Sequence, residues 1–193
     1  MLERDDIVRG LRKIDEMARR ANVIVDLSIY GGAALALVFD LRTSTRDVDA
    51  VVRGSPDFLR IAAAQVALEE QWPADWLNDG VKGFVSDKEQ MRPLEGFTAT
   101  PEAGGGLRVF TPAPQYLFAM KCMAMRADGV EGSHDISDID ALADLAQVKD
   151  AEDALDLVEA FYPASRIPAK VKFGVEEIMG RVARRRAKSV PEG

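Results

Sequence analysis

The chain carries one cysteine and one histidine in 193 residues. Cys122 alone cannot close an internal disulfide, and Cys122 with His134 has none of the paired spacings that hold structural zinc. A Ser-His-Asp hydrolase would depend on His134, yet no Gly-x-Ser-x-Gly turn is present to carry its serine. No apolar run is long enough to span a membrane. The first twenty residues are charged and amphipathic, without the apolar core of a secretion signal. A cytoplasmic protein with a reduced, buried thiol and no membrane association is expected. The net charge of −7 argues against a globally basic nucleic-acid binder. Basic residues do gather at Arg181, Arg184, Arg185, Arg186 and Lys188. Two readings stay open for them: a solvated helix end favoured by the helix dipole, which is preferred, and a contact to a phosphate backbone. Neither internal repeats nor low-complexity segments occur.

What is present suits a soluble globular domain, with 47% hydrophobic and 30% charged residues. The chain is long enough to bury a core without disulfides or metals. Ile7, Leu11, Ile14 and Met17/Ala18 recur on one stripe and predict a helix over residues 2–21. Val23 to Tyr30 reads as a strand, Ala33–Phe39 as a short helix, Asp47–Val52 as a second strand, and Pro56 to Gln71 as a helix opened by proline. Residues 72–106 are poorly patterned. Short strands near Gly83–Val85 and Phe97 and a mobile loop at Gly104-Gly105-Gly106 are expected there, before a strand at Leu107–Phe110. Helices are predicted over 114–127, 135–147, 151–161 and 171–187. The order predicts an α+β fold: a small mixed β-sheet with packed helices over residues 1–112, and a C-terminal helical portion over 113–193.

The chemistry concentrates in two short stretches. Gly31 and Gly32 break the first strand and open a helix, where backbone N–H groups favour anions. Asp47 and Asp49, at i and i+2 of the next predicted strand, would share one face. Two carboxylates on one face repel unless a cation sits between them, and Mg²⁺ is commonly held by one or two carboxylates together with substrate phosphates. The parts read together as a site for a metal-bound nucleoside triphosphate. Taken singly, the aspartates could be surface residues paired with Arg46 and Arg53, and the glycines a tight turn.

This pattern resembles the polymerase β-like nucleotidyltransferase superfamily, whose signature is Gly-Gly or Gly-Ser, a spacer, then Asp-x-Asp. More narrowly it is similar to the bacterial nucleotidyltransferases related to abortive-infection AbiEii toxins and the DUF6036 group. The opening is carried here by Gly31, Gly32, Ala34 and Leu35, and the close by Arg42, Thr45, Asp47 and Asp49. A downstream block matches at Met120-Lys121, Ala124 and Arg126, then His134-Asp135 and Asp138, with histidine where the family often has a basic residue. The resemblance spans about residues 24–145.

The resemblance implies the nucleotidyltransferase fold and transfer of a nucleoside monophosphate from an NTP to an acceptor hydroxyl on tRNA, a protein or a small molecule. Asp47 and Asp49 would hold Mg²⁺ or Mn²⁺, Gly31, Gly32 and Thr45 would line the nucleotide, and Lys121 would lie at the active site. A cognate toxin or antitoxin partner would follow from the toxin likeness. One of Asp135 and Asp138 would pair with the lysine or close the site, while Asp135 reads equally as a helix cap. The superfamily also carries a third carboxylate on a later strand, and Leu107–Phe110 has none. Asp79, Asp87 and Glu95 are the candidates, with Asp79 preferred from its Trp-Leu-Asn-Asp string. The alternative is a non-catalytic or regulatory nucleotide-binding module that lacks the third acid.

Overall fold

A computed structural model describes residues 1–125 and 135–189. Arg126 and His134 lie outside the described residues. The chain is α+β and divides into two compact units, residues 1–83 with 91–112, and residues 84–90 with 113–193.

The first unit is a five-stranded mixed sheet backed by helices. In chain order its elements are β1 (Leu2–Glu3), α1 (Arg4–Arg20), β2 (Ile24–Ile29), α2 (Gly31–Ala34) running into a wide π-type turn (Leu35–Phe39), β3 (Ser44–Thr45), β4 (Val48–Arg53), α3 (Pro56–Glu70), β5 (Leu77–Asn78), β6 (Met91–Thr98) and β7 (Gly106–Pro112). The sheet order is β5-β4-β2-β7-β6, and β1 with β3 forms a separate two-stranded ribbon. β2 runs antiparallel to β4 and parallel to β7, and β4 runs parallel to β5. The alternation of each strand sorts its residues to two faces. Val25, Leu27, Ile29, Val48, Ala50, Leu107 and Val109 build one core with Ile7, Leu11, Ile14 and Ala18 of α1 and Leu59, Ala62, Ala63 and Val66 of α3. The amphipathic stripe expected of the first helix is thus the one it buries. The opposite face carries Asp26, Ser28, Val51, Arg108 and Phe110, paired across the sheet, with Asp49 in the same alternation.

Residues 72–106 depart from their reading. Gly83–Val85 is no strand but lies around a 3₁₀ turn at Gly80–Phe84, and the strand here is the longer β6. β6 is a sheet edge, interrupted between Pro93 and Thr98, with Gly96 at φ +85°. An edge tolerates proline, and the irregularity erases the period-two pattern that would have announced it. The glycine triplet is a packed turn rather than a free loop. A Cβ on Gly105 would lie 2.6 Å from the Val23 carbonyl oxygen, and Gly106 donates its N–H to that oxygen at 2.8 Å. Asp15 Oδ1 accepts the next amide, that of Leu107, at 2.7 Å, which fastens α1 to the start of β7.

The second unit is helical: α4 (Pro114–Ala124), α5 (Asp135–Leu145), α6 (Ala151–Phe161) and α7 (Ala169–Ser189). Its core gathers Tyr116, Phe118, Ile139, Leu142, Val158, Tyr162, Val171 and Val182, all fully buried. Residues 84–90 belong to it through specific bonds. The Ser86 hydroxyl donates to the Phe161 carbonyl, Ser86 N–H donates to Tyr116 Oη at 3.0 Å, and Tyr162 Oη donates to the Phe84 carbonyl at 2.6 Å. No helix among the described residues is long and apolar enough to cross a membrane.

Candidate functional site

The glycine pair and the Asp49 carboxylate meet at one end of the β2–β4 pair. Tyr30 N–H donates to the Asp49 carbonyl at 2.9 Å, so the two strands stay joined up to the turn. Gly31 then adopts φ +61°, a conformation that side chains oppose, and swings the chain into the helix. A Cβ on Gly31 would lie 2.6 Å from Asp49 Oδ2. The backbone at the helix start therefore closes directly on the carboxylate. Only glycine satisfies both the torsion and the contact.

Gly32 has a different reason. A Cβ there would lie 2.6 Å from Thr45 Oγ1 and 2.6 Å from an Arg42 guanidinium nitrogen. Thr45 is buried, and its strand β3 is held by β1, Leu2 facing Thr45. The space beside Gly32 is filled by Thr45 and Arg42, so its lack of a side chain lets the polar loop pack onto the helix. The expected roles of Arg42 and Thr45 in shaping that loop agree with this packing.

Asp47 sits on a bend just before β4, and both it and Asp49 are half-buried. β4 is fixed at this end by β5. Val48 N–H donates to the Trp76 carbonyl at 2.6 Å, and Asp49 pairs in register with Asn78. Trp76 is fully buried, donates its indole N–H to the Ala63 carbonyl at 3.0 Å, and packs edge-on to Trp72. Gly10 of α1 leaves room for that pair, since a Cβ there would lie 2.8 Å from Trp76. Asn78 Oδ1 in turn accepts the Gly80 N–H at 2.9 Å. A Cβ on Gly80 would lie 3.1 Å from Asn78 Oδ1 and 3.8 Å from Asp49 Oδ1. The Gly31 backbone thus closes on the Asp49 carboxylate at Oδ2, and the place a Gly80 side chain would take lies 3.8 Å from Oδ1.

Of the three candidates for a further acid, Asp79 and Glu95 lie in the first unit and Asp87 in the second. Asp79 is exposed and paired with Lys82, whose hydrogen bond holds its carboxyl below the usual range. It lines a groove of about 420 Å³ with Ala50 and Val52, which alternate with Asp49 and point to the α3 side of the sheet. Glu95 is on the edge strand β6, with β7 and β2 between it and β4. Asp87 lies in the segment 84–90 that belongs to the second unit. Among the described residues no group of three or more His, Cys, Asp or Glu side chains gathers for a metal. The side chain in register with Asp49 is the amide of Asn78.

Lys121 is in the second unit, in an internal ion pair. Its ammonium lies 2.7 Å from Asp138 Oδ2 and 3.7 Å from Asp135 Oδ1, with the Lys121 side chain 12% and the Asp138 side chain 4% exposed. The expected pairing of the lysine with one of Asp135 and Asp138 is the one observed. The downstream block is a buried charge cluster joining α4 to α5. The C-terminal cations are also engaged: Arg181 with Glu177, Arg185 with Asp140 and Asp144, Arg186 with Asp144 and with the Lys149 and Val148 carbonyls. Those bonds account for three of the five without a nucleic acid.

No protein-family model, curated protein or solved structure matches the chain. The donor set must speak for itself. Asp49 and Asp47 carry carboxylate oxygens, the ligand type of hard cations, and Asp49 lies against the backbone of a helix start.

Proposed function

We propose that the chain is a Mg²⁺-dependent nucleotidyltransferase, moving a nucleoside monophosphate from an NTP to an acceptor hydroxyl. The observation that carries this reading is the closure of Gly31, at φ +61°, on the Asp49 carboxylate. It puts a helix start, which attracts phosphate, beside a carboxylate that attracts a cation. Asp47 and Asp49 would hold Mg²⁺, which when bound neutralises charge on the phosphates. The first-turn amides after Gly31 would face phosphate oxygens, and Thr45 and Arg42 would hold the loop that frames them. In the transfer itself, the acceptor oxygen bonds to the α-phosphorus, the bond to the β-phosphate oxygen breaks, pyrophosphate leaves, and the hydroxyl proton passes to solvent. A cytoplasmic setting and a toxin or antitoxin partner accompany this proposal.

A second reading is a regulatory module that binds a nucleotide without transferring it. It is favoured by the amide of Asn78 beside Asp49 and by the engagement of Asp79 with Lys82. One experiment separates the two. The protein is incubated with each α-labelled NTP, Mg²⁺, and total tRNA or cell extract. A labelled acceptor that depends on Asp49 supports transfer. Saturable Mg²⁺-NTP binding without any labelled product supports the module, and absence of binding removes both.

A further inference from the structure

We propose that the outer face of α3 is a self-complementary docking surface for a second copy of this chain. The inner face of the helix is spent on the core, through Leu59, Ala62, Ala63, Val66 and Ala67. The outer face nevertheless carries two large apolar side chains, Ile61 at 61% and Leu68 at 82% exposed. Seven residues apart, they lie about 20° from each other around a helix of ~3.6 residues per turn. They therefore form one stripe, with Ala64 exposed between them. α5 also exposes two, Ile136 and Leu145, but nine residues set those about 180° apart, on opposite sides of that helix. Scattered apolar side chains need no explanation, whereas a pair in line on one helix face does.

The order of side chains along the stripe decides the occupant. It reads Arg60, Ile61, Ala64, Gln65, Leu68, Glu69, all exposed. A two-fold axis midway between Ala64 and Gln65 lays this face antiparallel on its own copy. Arg60 then comes opposite Glu69 of the second copy, Ile61 opposite Leu68, and Ala64 opposite Gln65. Each pair occurs twice, as an isologous contact requires. A parallel pairing would instead set Arg60 against Arg60 and Glu69 against Glu69. The charges are available for this. Arg60 meets Asp57 at 3.7 Å with both side chains largely in solvent. Glu69 accepts from Lys13 at 2.8 Å and from Gln65 at 3.0 Å, yet stays 41% exposed, and a carboxylate has about four acceptor sites. From Arg60 to Glu69 the stripe is about 14 Å long at ~1.5 Å per residue, so the dimer is small, reversible and concentration-dependent.

Sedimentation velocity of the full-length chain over a concentration series tests this, with thermal melts to check folding. The parent is expected to pass reversibly from monomer to dimer as concentration rises. Leu68→Glu puts a charge on the apolar seam from a side chain that is already in solvent, so it should melt like the parent. Its dimer dissociation constant should rise roughly tenfold or more, the scale of a lost central anchor. Arg60→Glu alone and Glu69→Arg alone should each weaken self-association, because like charges then face each other twice. Mixed together, the two variants should form a heterodimer, since both cross pairs again join opposite charges. A parent that stays monomeric at every concentration overturns the proposal. A Leu68→Glu chain that dimerises like the parent overturns it too, by placing the contact on another surface. Two charge variants that fold but do not associate when mixed overturn the antiparallel register.

Discussion

The two halves of the apparent motif are built on opposite principles. At Asp49, the Gly31 backbone closes on one carboxylate oxygen, with the amide of Asn78 in register. At Lys121, charge is met by charge, and the ammonium lies against Asp138 with Asp135 nearby in a buried cluster. A group whose opposite charge is already bonded and buried has done its work inside the fold. The same residue types, spaced as a family would space them, form a carboxylate under a helix start in one place and a buried ion pair in the other.

Lys121→Ala tests the structural half and has the largest expected effect. It takes the Lys121 ammonium away from the buried Asp138 carboxylate, and breaking a buried pair by removing one partner costs about 3–5 kcal/mol. The denaturant midpoint should fall steeply. Lys121→Met with Asp138→Leu should recover most of the loss, because a packed apolar pair replaces the ion pair at little cost. A Lys121→Ala protein that melts like the parent yet loses nucleotide transfer would break the comparison and return Lys121 to the site.

The opposite behaviour is expected at the carboxylates. Asp47→Asn with Asp49→Asn should lower Mg²⁺-dependent nucleotide affinity by about a hundredfold or more, at the upper end of what even outer partners of a metal contribute. Its melting temperature without metal should hold or rise, since like-charge repulsion is relieved. Calorimetry beside a thermal melt reads both. Unchanged affinity would make the aspartates ordinary strand-end residues.

Gly31→Ala asks whether the closure on Asp49 matters. A methyl group must meet Asp49 Oδ2 and adopt a left-handed torsion, a strain of about 1–2 kcal/mol. Nucleotide affinity is expected to fall roughly tenfold, because the carboxylate is pushed from its place. Gly32→Ala is the control. Its methyl meets Thr45 and Arg42, so it should disturb the loop and leave direct contact with Asp49 intact. Equal losses in the two variants would show that loop packing, not closure on the carboxylate, governs binding.

Much of this was legible in the sequence, and the failures have physical causes. The first helix announced itself through Ile7, Leu11, Ile14 and Ala18 because one wet and one dry face impose a period. The turn at Gly31 and the strand at Asp49 were legible because a glycine pair and an i, i+2 acid pair are rare local signals. β6 was hidden by Pro93 and Gly96 at a sheet edge, where pairing on one side alone relaxes the pattern. Asn78 could not be found as Asp49's neighbour, since their pairing joins residues distant in sequence. The signal available was Trp76, a large apolar residue that anchors the string holding Asn78 and Asp79. It pointed to the segment where Asn78 is in register with Asp49 and Asp79 pairs with Lys82. The lysine's partners were named from sequence, but its burial belongs to packing between helices and has no local mark.

The smallest expected effect concerns the helical unit again, and it asks how far its charges are structural. Asp144 receives Arg185 at 2.8 Å and Arg186 at 2.7 Å, both from α7. Partial burial pushes its carboxyl upward, but the hydrogen bonds from Arg186 and Arg185 outweigh this and hold it below the usual range. A depressed folded-state value means that the stabilisation is present above the unfolded carboxylate range, near pH 4, and is lost as the pH falls through the lower folded value. The exposed side chains discount the size, to about 0.5–1 kcal/mol. Asp144→Asn should therefore lower stability slightly at pH 7 and make almost no difference at pH 2, where the parent carboxyl is protonated too. Urea melts of both chains at the two pH values read this directly. A gap that persists at pH 2 would assign the contact between α5 and α7 to packing rather than charge. A gap confined to pH 7 would place Asp144 with Lys121, as charge used to hold helices together, and set both apart from Asp49.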